Sequence, residues 1–147
     1  MDADHTSQPA APALDRLAAA FLDGTLPKGA WTHEAHLRVG VWHLLRYPVA
    51  EALERLREGI RRYNEATGTG NSAHAGYHET ITRFYVGVIG RYVADADRSR
   101  PADELANDLV AQHGDRALPL RHWSAERLMS PEARLGWVEP DREPLAG

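Results

Sequence analysis

WTHEAHLRVGVWHLLRY, residues 31–47, reads as a helix bounded by its own start and stop signals. Thr32 suits the N-cap position, where a hydroxyl accepts a first-turn N–H, and Pro48 stops the run. At about 100° per residue, His33, His36, Leu37, Gly40, His43, Leu44 and Tyr47 share one arc. Glu34, Ala35, Arg38 and Arg46 fall opposite and can take the solvent. Val39, Val41 and Leu45 widen the apolar side, so the helix is predicted to be largely buried with its histidines facing inward. Gly40 interrupts the stripe and leaves room for another helix or a ligand.

A helix buried on most sides needs other helices around it, and the flanking sequence supplies them. Upstream, ALDRLAAAFLDG sets Leu14, Leu17, Ala18, Phe21 and Leu22 at helical spacing and ends at Gly24. Downstream, residues 49–68 form an amphipathic helix with Leu53, Leu56, Ile60 and Tyr63 on one stripe and Arg57 on its wet face. Residues 67–76 are a glycine-rich loop, and a fourth helix is predicted from about Tyr77 to Ala96. A fifth follows, with Pro101 near its first turn and Gly114 after its end. Short stretches LPLRHW and SAERLM, a short helix SPEARLGW capped by Ser130, and an extended tail, VEPDREPLAG, complete the chain. The expectation is an all-α fold: one compact domain over residues 12–147, preceded by a disordered leader at 1–11.

Composition narrows the function classes. The chain has 147 residues, a formal charge of −4 and no cysteine, which removes disulfides, thiolate metal sites and a cysteine nucleophile. Its 17 Lys+Arg are scattered, with no tract that would neutralise several phosphates at once, so nucleic acid is a poor partner. No apolar run approaches the ~20 residues that span a bilayer, and the acidic N-terminus lacks a signal-peptide core. A cytoplasmic protein acting on a small molecule fits these limits, and dimerisation through the third or fifth helix stays open.

Eight histidines are many for this length. His33 and His36, three apart in HEAH, differ from the H-E-x-x-H metalloprotease pattern, whose histidines are four apart. They can still chelate one ion from a helix surface, and GYHETIT, residues 76–82, aims His78 inward from the start of the fourth helix. All three lie near helix N-termini, where the macrodipole disfavours an imidazolium, and a neutral imidazole serves a metal or a general base alike. Structural explanations compete: Glu34 and Glu79 can simply complement helix dipoles, and His33 and His36 can be hydrogen-bonded core residues. His43 reads as packing, His74 as a solvated loop residue or lid, and His113 as a helix-end cation. In the tail, Arg134 could clamp a carboxylate or phosphate, or sit in a surface ion pair, and Asp141 could reach the mouth of a cavity.

WTHEAHLRVGVWHLL, GYHETIT and SPEARLGWVEPDREPL together resemble the motifs of a family of small, uncharacterised bacterial all-α proteins of about this length. That family has an aromatic-x-His-x-x-His-Leu helix start, a Tyr-His-Glu-Thr-Ile-Thr helix start and a Ser-x-Glu-Ala-Arg…Pro-Asp close. The resemblance spans about residues 14–145 and singles out His33, His36, His78, Glu79, Thr80, Thr82, Arg134 and Asp141. It implies a site and no particular reaction.

Three hypotheses follow. In the first, His33, His36 and His78 bind one divalent ion (zinc, iron or copper), with water, Glu79 or Asp141 completing the shell. In the second, a metal-free isomerase, dehydratase or cyclase uses His36 or His78 as base, tuned by Glu79, with Arg134 as anchor. The third is a helical binding protein that does no chemistry.

Overall fold

The computed structural model describes residues 12–146; the leader expected at 1–11 lies outside them. Seven α-helices follow in order: α1 Ala13–Asp23, α2 His33–Arg46, α3 Val49–Ala66, α4 Glu79–Asp95, α5 Ala102–His113, α6 Ala125–Leu128 and α7 Pro131–Leu135. Two 3₁₀ turns, Lys28–Ala30 and Leu118–Arg121, join them, and no strand occurs among the described residues. The fold is all-α, as the periodicity predicts. No described helix is long and apolar enough to cross a membrane.

α2 is central and packs against α1, α3, α4 and α5. Its capping follows the sequence: Thr32 Oγ1 accepts the Ala35 N–H at 3.2 Å. Leu37, Val39, Gly40, Val41, His43 and Leu44 are all buried. So is Ala35, which was expected to face solvent. It shares a face with Arg38, whose guanidinium donates to Asn107 of α5, so α5 covers that side as well.

Several ends are fixed by partners distant in sequence. α1 has no cap of its own; the Asp103 carboxylate, from the first turn of α5, accepts the Ala13 and Leu14 N–H groups at 3.1 and 3.0 Å. One acid thus stands at two helix N-termini, where negative charge is favoured. Gly24 closes α1 in the left-handed region at φ 79°, as predicted for a C-cap. α4 begins at Glu79 rather than Tyr77, because His78 is its N-cap: the ring Nδ1 accepts the Ile81 N–H at 3.1 Å. The tail then wraps back over α4. Thr80 Oγ1 donates to the Gly136 carbonyl at 2.7 Å, and Trp123 Nε1 donates to the Val138 carbonyl at 3.0 Å. Trp123 is fully buried, and Trp137, Val138 and Leu145 of the tail pack half-buried against the core.

Candidate active site

A cavity of about 400 Å³ opens where the start of α2 meets α3 and α4. Such a volume suits a small molecule. Leu37, Leu56, Ile60, Ile81, Val86 and Ile89 form its apolar walls. Thr32, His33, His36, Thr82, Tyr85 and Arg116 supply its polar groups, and no Asp or Glu lines it. Gly40 belongs to the same wall: a Cβ there would lie 2.6 Å from Ile89 Cδ1, so the missing side chain lets α4 approach α2 beside the cavity.

One of the two cavity histidines is held in a single tautomer by the backbone. His36 Nδ1 lies 2.7 Å from the Thr32 carbonyl oxygen. A carbonyl only accepts, so Nδ1 carries the proton and Nε2 keeps its lone pair. The ring also stacks on Trp31 with centroids 3.8 Å apart, and Trp31 stacks in turn on Phe21 at 4.6 Å. His36 is exposed at the cavity mouth and not turned inward as expected, although neighbouring protein crowds its ring. Desolvation therefore lowers its pKa, with the Thr32 carbonyl opposing and His33 and Arg116 adding to the depression. His33 is lowered too, first by desolvation and then by Arg116, against the Gly114 backbone and the Asp115 and Glu34 charges. Its Nε2 is buried without a hydrogen-bond partner, and its ring stands edge-on to Tyr85 at 5.6 Å. Both imidazoles are thus favoured in the neutral form, and a charge on His33 further disfavours one on His36.

The other expected site residues are occupied elsewhere. His78 lines a neighbouring lobe together with His36. Its Nδ1 caps α4, and its Nε2–H donates to the Leu128 carbonyl at 2.7 Å, so neither nitrogen keeps a lone pair for an ion or a substrate proton. Among the described residues, no three His, Asp or Glu side chains come together as a metal-binding group. The expected set of His33, His36 and His78 is therefore not assembled. Glu79 is 7% exposed and clasped: Arg57 Nε and Nη2 donate to its two oxygens at 2.9 and 2.6 Å, and the Tyr77 hydroxyl donates at 2.7 Å. Burial works to raise the Glu79 pKa, but Arg57, Tyr77 and Arg83 outweigh it and hold the carboxyl below its usual range. Arg57, assigned from the sequence to a wet face, is drawn inward by this pair. Arg134 donates to the Gly76 carbonyl at 2.8 Å, and Asp141 accepts the Ser124 N–H and hydroxyl, both at 2.7 Å. None of Glu79, Arg134 and Asp141 lines the cavity. They pin the α4 start and the tail.

His43 is 1% exposed and bonded through Nδ1 to the Val39 carbonyl, in keeping with packing; His74 is exposed in its loop. Sequence reasoning missed Tyr85 and Arg116 as site residues. Tyr85 reads as core by its spacing, and burial does push its phenol up to about 12, which keeps it a hydrogen-bond donor. Its hydroxyl reaches the Asp115 carbonyl only at 3.5 Å. Arg116 lies in the irregular connection after α5, where periodicity carries no signal; among the described residues it pairs with no carboxylate. Comparison with protein-family models, curated proteins and solved structures gives no match.

Proposed function

We propose that the chain is a metal-free acid–base enzyme that acts on a small organic acid, with His36 as the base. The observation that carries this reading is a cavity lined by two imidazoles whose burial disfavours the charged form and by one guanidinium that makes no ion pair among the described residues, with no carboxylate in its lining. Arg116 would take the substrate carboxylate, in a fork that matches its two oxygens. His36 Nε2 would remove a proton from a carbon next to a carbonyl, and the electron pair of that C–H bond would move onto the carbonyl oxygen. The Tyr85 hydroxyl is the donor suited to that oxygen, since it stays protonated at any physiological pH and has only a long internal partner. The imidazolium so formed lies on the Trp31 face, which favours a cation. It would return the proton to the γ-carbon where the substrate is β,γ-unsaturated, the electron pair passing back from oxygen through the dienolate to shift the double bond, or to a departing β-hydroxyl as the carbonyl re-forms, giving an alkene and water. The motif resemblance supports the same helix start, and a cysteine-free chain suits the cytoplasm.

A second reading rests on the His36 tautomer. An imidazole whose Nδ1–H is tied to a carbonyl, as that of His36 is, presents Nε2 outward, as metal-ligating histidines do. His36 could thus hold zinc, iron or copper, with the partnerless His33 Nε2 as a second ligand and the substrate's own oxygens completing the shell.

One experiment separates the two. The protein, purified without a polyhistidine tag, is incubated in D₂O with a panel of oxo acids, and loss of the α-proton signal is followed by NMR. Elemental analysis is run on the same sample. Exchange that scales with protein, persists after chelation and is lost in His36→Gln supports the acid–base reading. Exchange that needs about one equivalent of metal supports the second, and no exchange under either condition overturns both.

A further inference from the structure

The cavity is one half of a larger groove. A second lobe of about 430 Å³ adjoins it, and the two share Trp31, His36, Ile60, Ile81 and Thr82. The stacked Trp31–His36 pair therefore stands where the lobes meet, with Arg116 lining the first and Lys28 the second. Lys28 is the only lysine of the chain, and like Arg116 it is exposed and makes no ion pair among the described residues. Neither lobe is lined by an Asp or a Glu.

That composition is unusual for this surface. The protein carries 21 Asp+Glu against 17 Lys+Arg. The larger hollow between α4, α5 and the tail, about 770 Å³, mixes Arg91, Arg100 and Arg121 with Asp95, Asp97 and Asp108. There carboxylates stand among the cations, and Arg100 lies 3.7 Å from Asp108. In the Trp31–His36 groove each lobe keeps one cation that makes no ion pair among the described residues, although the Asp115 charge is felt at His33 and Tyr85. Unpaired positive charge within concave, partly apolar walls favours an anion at each place, and the shared Ile60 and Ile81 favour a hydrocarbon segment between.

We infer that the ligand is an elongated organic acid with two anionic groups, one on Arg116 and one on Lys28, and an apolar span that crosses the groove past His36. This inference rests on the organic-acid reading of the cavity and adds the second acidic group. It also accounts for Trp31, which buttresses His36 and offers its ring to both lobes.

The test is calorimetric titration of the full chain with linear dicarboxylates of increasing length, each against the monocarboxylate of equal length. Beyond a threshold length the dicarboxylate is expected to bind about fivefold more tightly, the size of one solvent-exposed ion pair. Lys28→Met is expected to abolish that advantage, bringing the dicarboxylate down to the affinity of the monocarboxylate, while Arg116→Gln weakens both. Lys28 is exposed and unpaired, so its replacement leaves the fold intact, and an unchanged melting temperature checks this. Binding without any dicarboxylate preference, or a preference that survives Lys28→Met, overturns the two-anion ligand and leaves the organic-acid reading standing. No binding by either class overturns both, and preference without any deuterium exchange overturns the chemistry alone.

Discussion

His78 shows how one side chain can look catalytic in sequence and be architectural in space. An imidazole seldom caps a helix, yet here its unprotonated Nδ1 does what a Ser or Asp oxygen usually does for Ile81. Its protonated Nε2 simultaneously ties the α4 start to the Leu128 carbonyl at the end of α6. Removal loses both contacts. His78→Ala is expected to destabilise the fold by about 2–3 kcal/mol, roughly one for the cap and the rest for a buried carbonyl left unsatisfied. His78→Asn can restore the cap but not the tie, and is expected to recover about 1 kcal/mol of that loss. Urea unfolding of the three proteins checks this; if the Asn variant were no better than Ala, the capping role would be wrong. Nothing in GYHETIT distinguishes this use from metal ligation, because both want a neutral imidazole at a helix start.

At the scale of elements, α2 and α4 meet across Gly40, and what the sequence revealed there divides cleanly. The Thr32 cap, the burial of α2 from Leu37 to Leu44 and the close approach of α4 at Gly40 follow from periodicity and local chemistry, whereas His36, expected on the inward stripe, is exposed at its start. The Glu79–Arg57 clasp, the Asp103 cap on α1 and the place of Arg116 depend on residues brought together from 22 or more positions apart or on an irregular connection. No local pattern encodes those. The Gly40 contact gives a test that separates folding from binding. In Gly40→Ala the new methyl would meet Ile89 Cδ1, the movable end of a side chain that also lines the cavity. Alanine favours the helix by about 1 kcal/mol over glycine, against a crowding cost of about 1–3 kcal/mol. Stability is therefore expected to change by no more than about 2 kcal/mol, while the displaced Ile89 narrows the cavity. Measured dicarboxylate affinity should fall more than the melting temperature does. A variant that binds as the parent does would show that Ile89 yields away from the cavity.

Over the whole molecule the histidines make acid the natural denaturant. The pKa values of His33, His36, His43 and His78 are all lowered, each first by desolvation. In the unfolded chain these imidazoles titrate near the ordinary value of about 6.5. Above that pH they are neutral in both states and contribute no pH dependence. Below it the unfolded chain takes up protons that the folded one refuses, so stability falls as pH drops toward the folded values. His43 and His78 are the most buried, at 1% and 8% exposure, and each can contribute a slope of up to about 1.4 kcal/mol per pH unit. His33 and His36, which face the solvent-filled cavity, contribute less. A second loss begins near pH 4, where Glu79 and the lowered aspartates, Asp141 among them, are protonated in the unfolded chain first. The urea midpoint is therefore expected to be level from about pH 8 to 7 and to fall from about pH 6.5 to 5. It should steepen again below about pH 4. His78→Asn should start lower and show a shallower fall in the first window, because one of its contributing groups is gone. A midpoint that stays level down to about pH 5 would mean that these imidazoles protonate within the fold, and would remove the neutral base on which the cavity's chemistry depends.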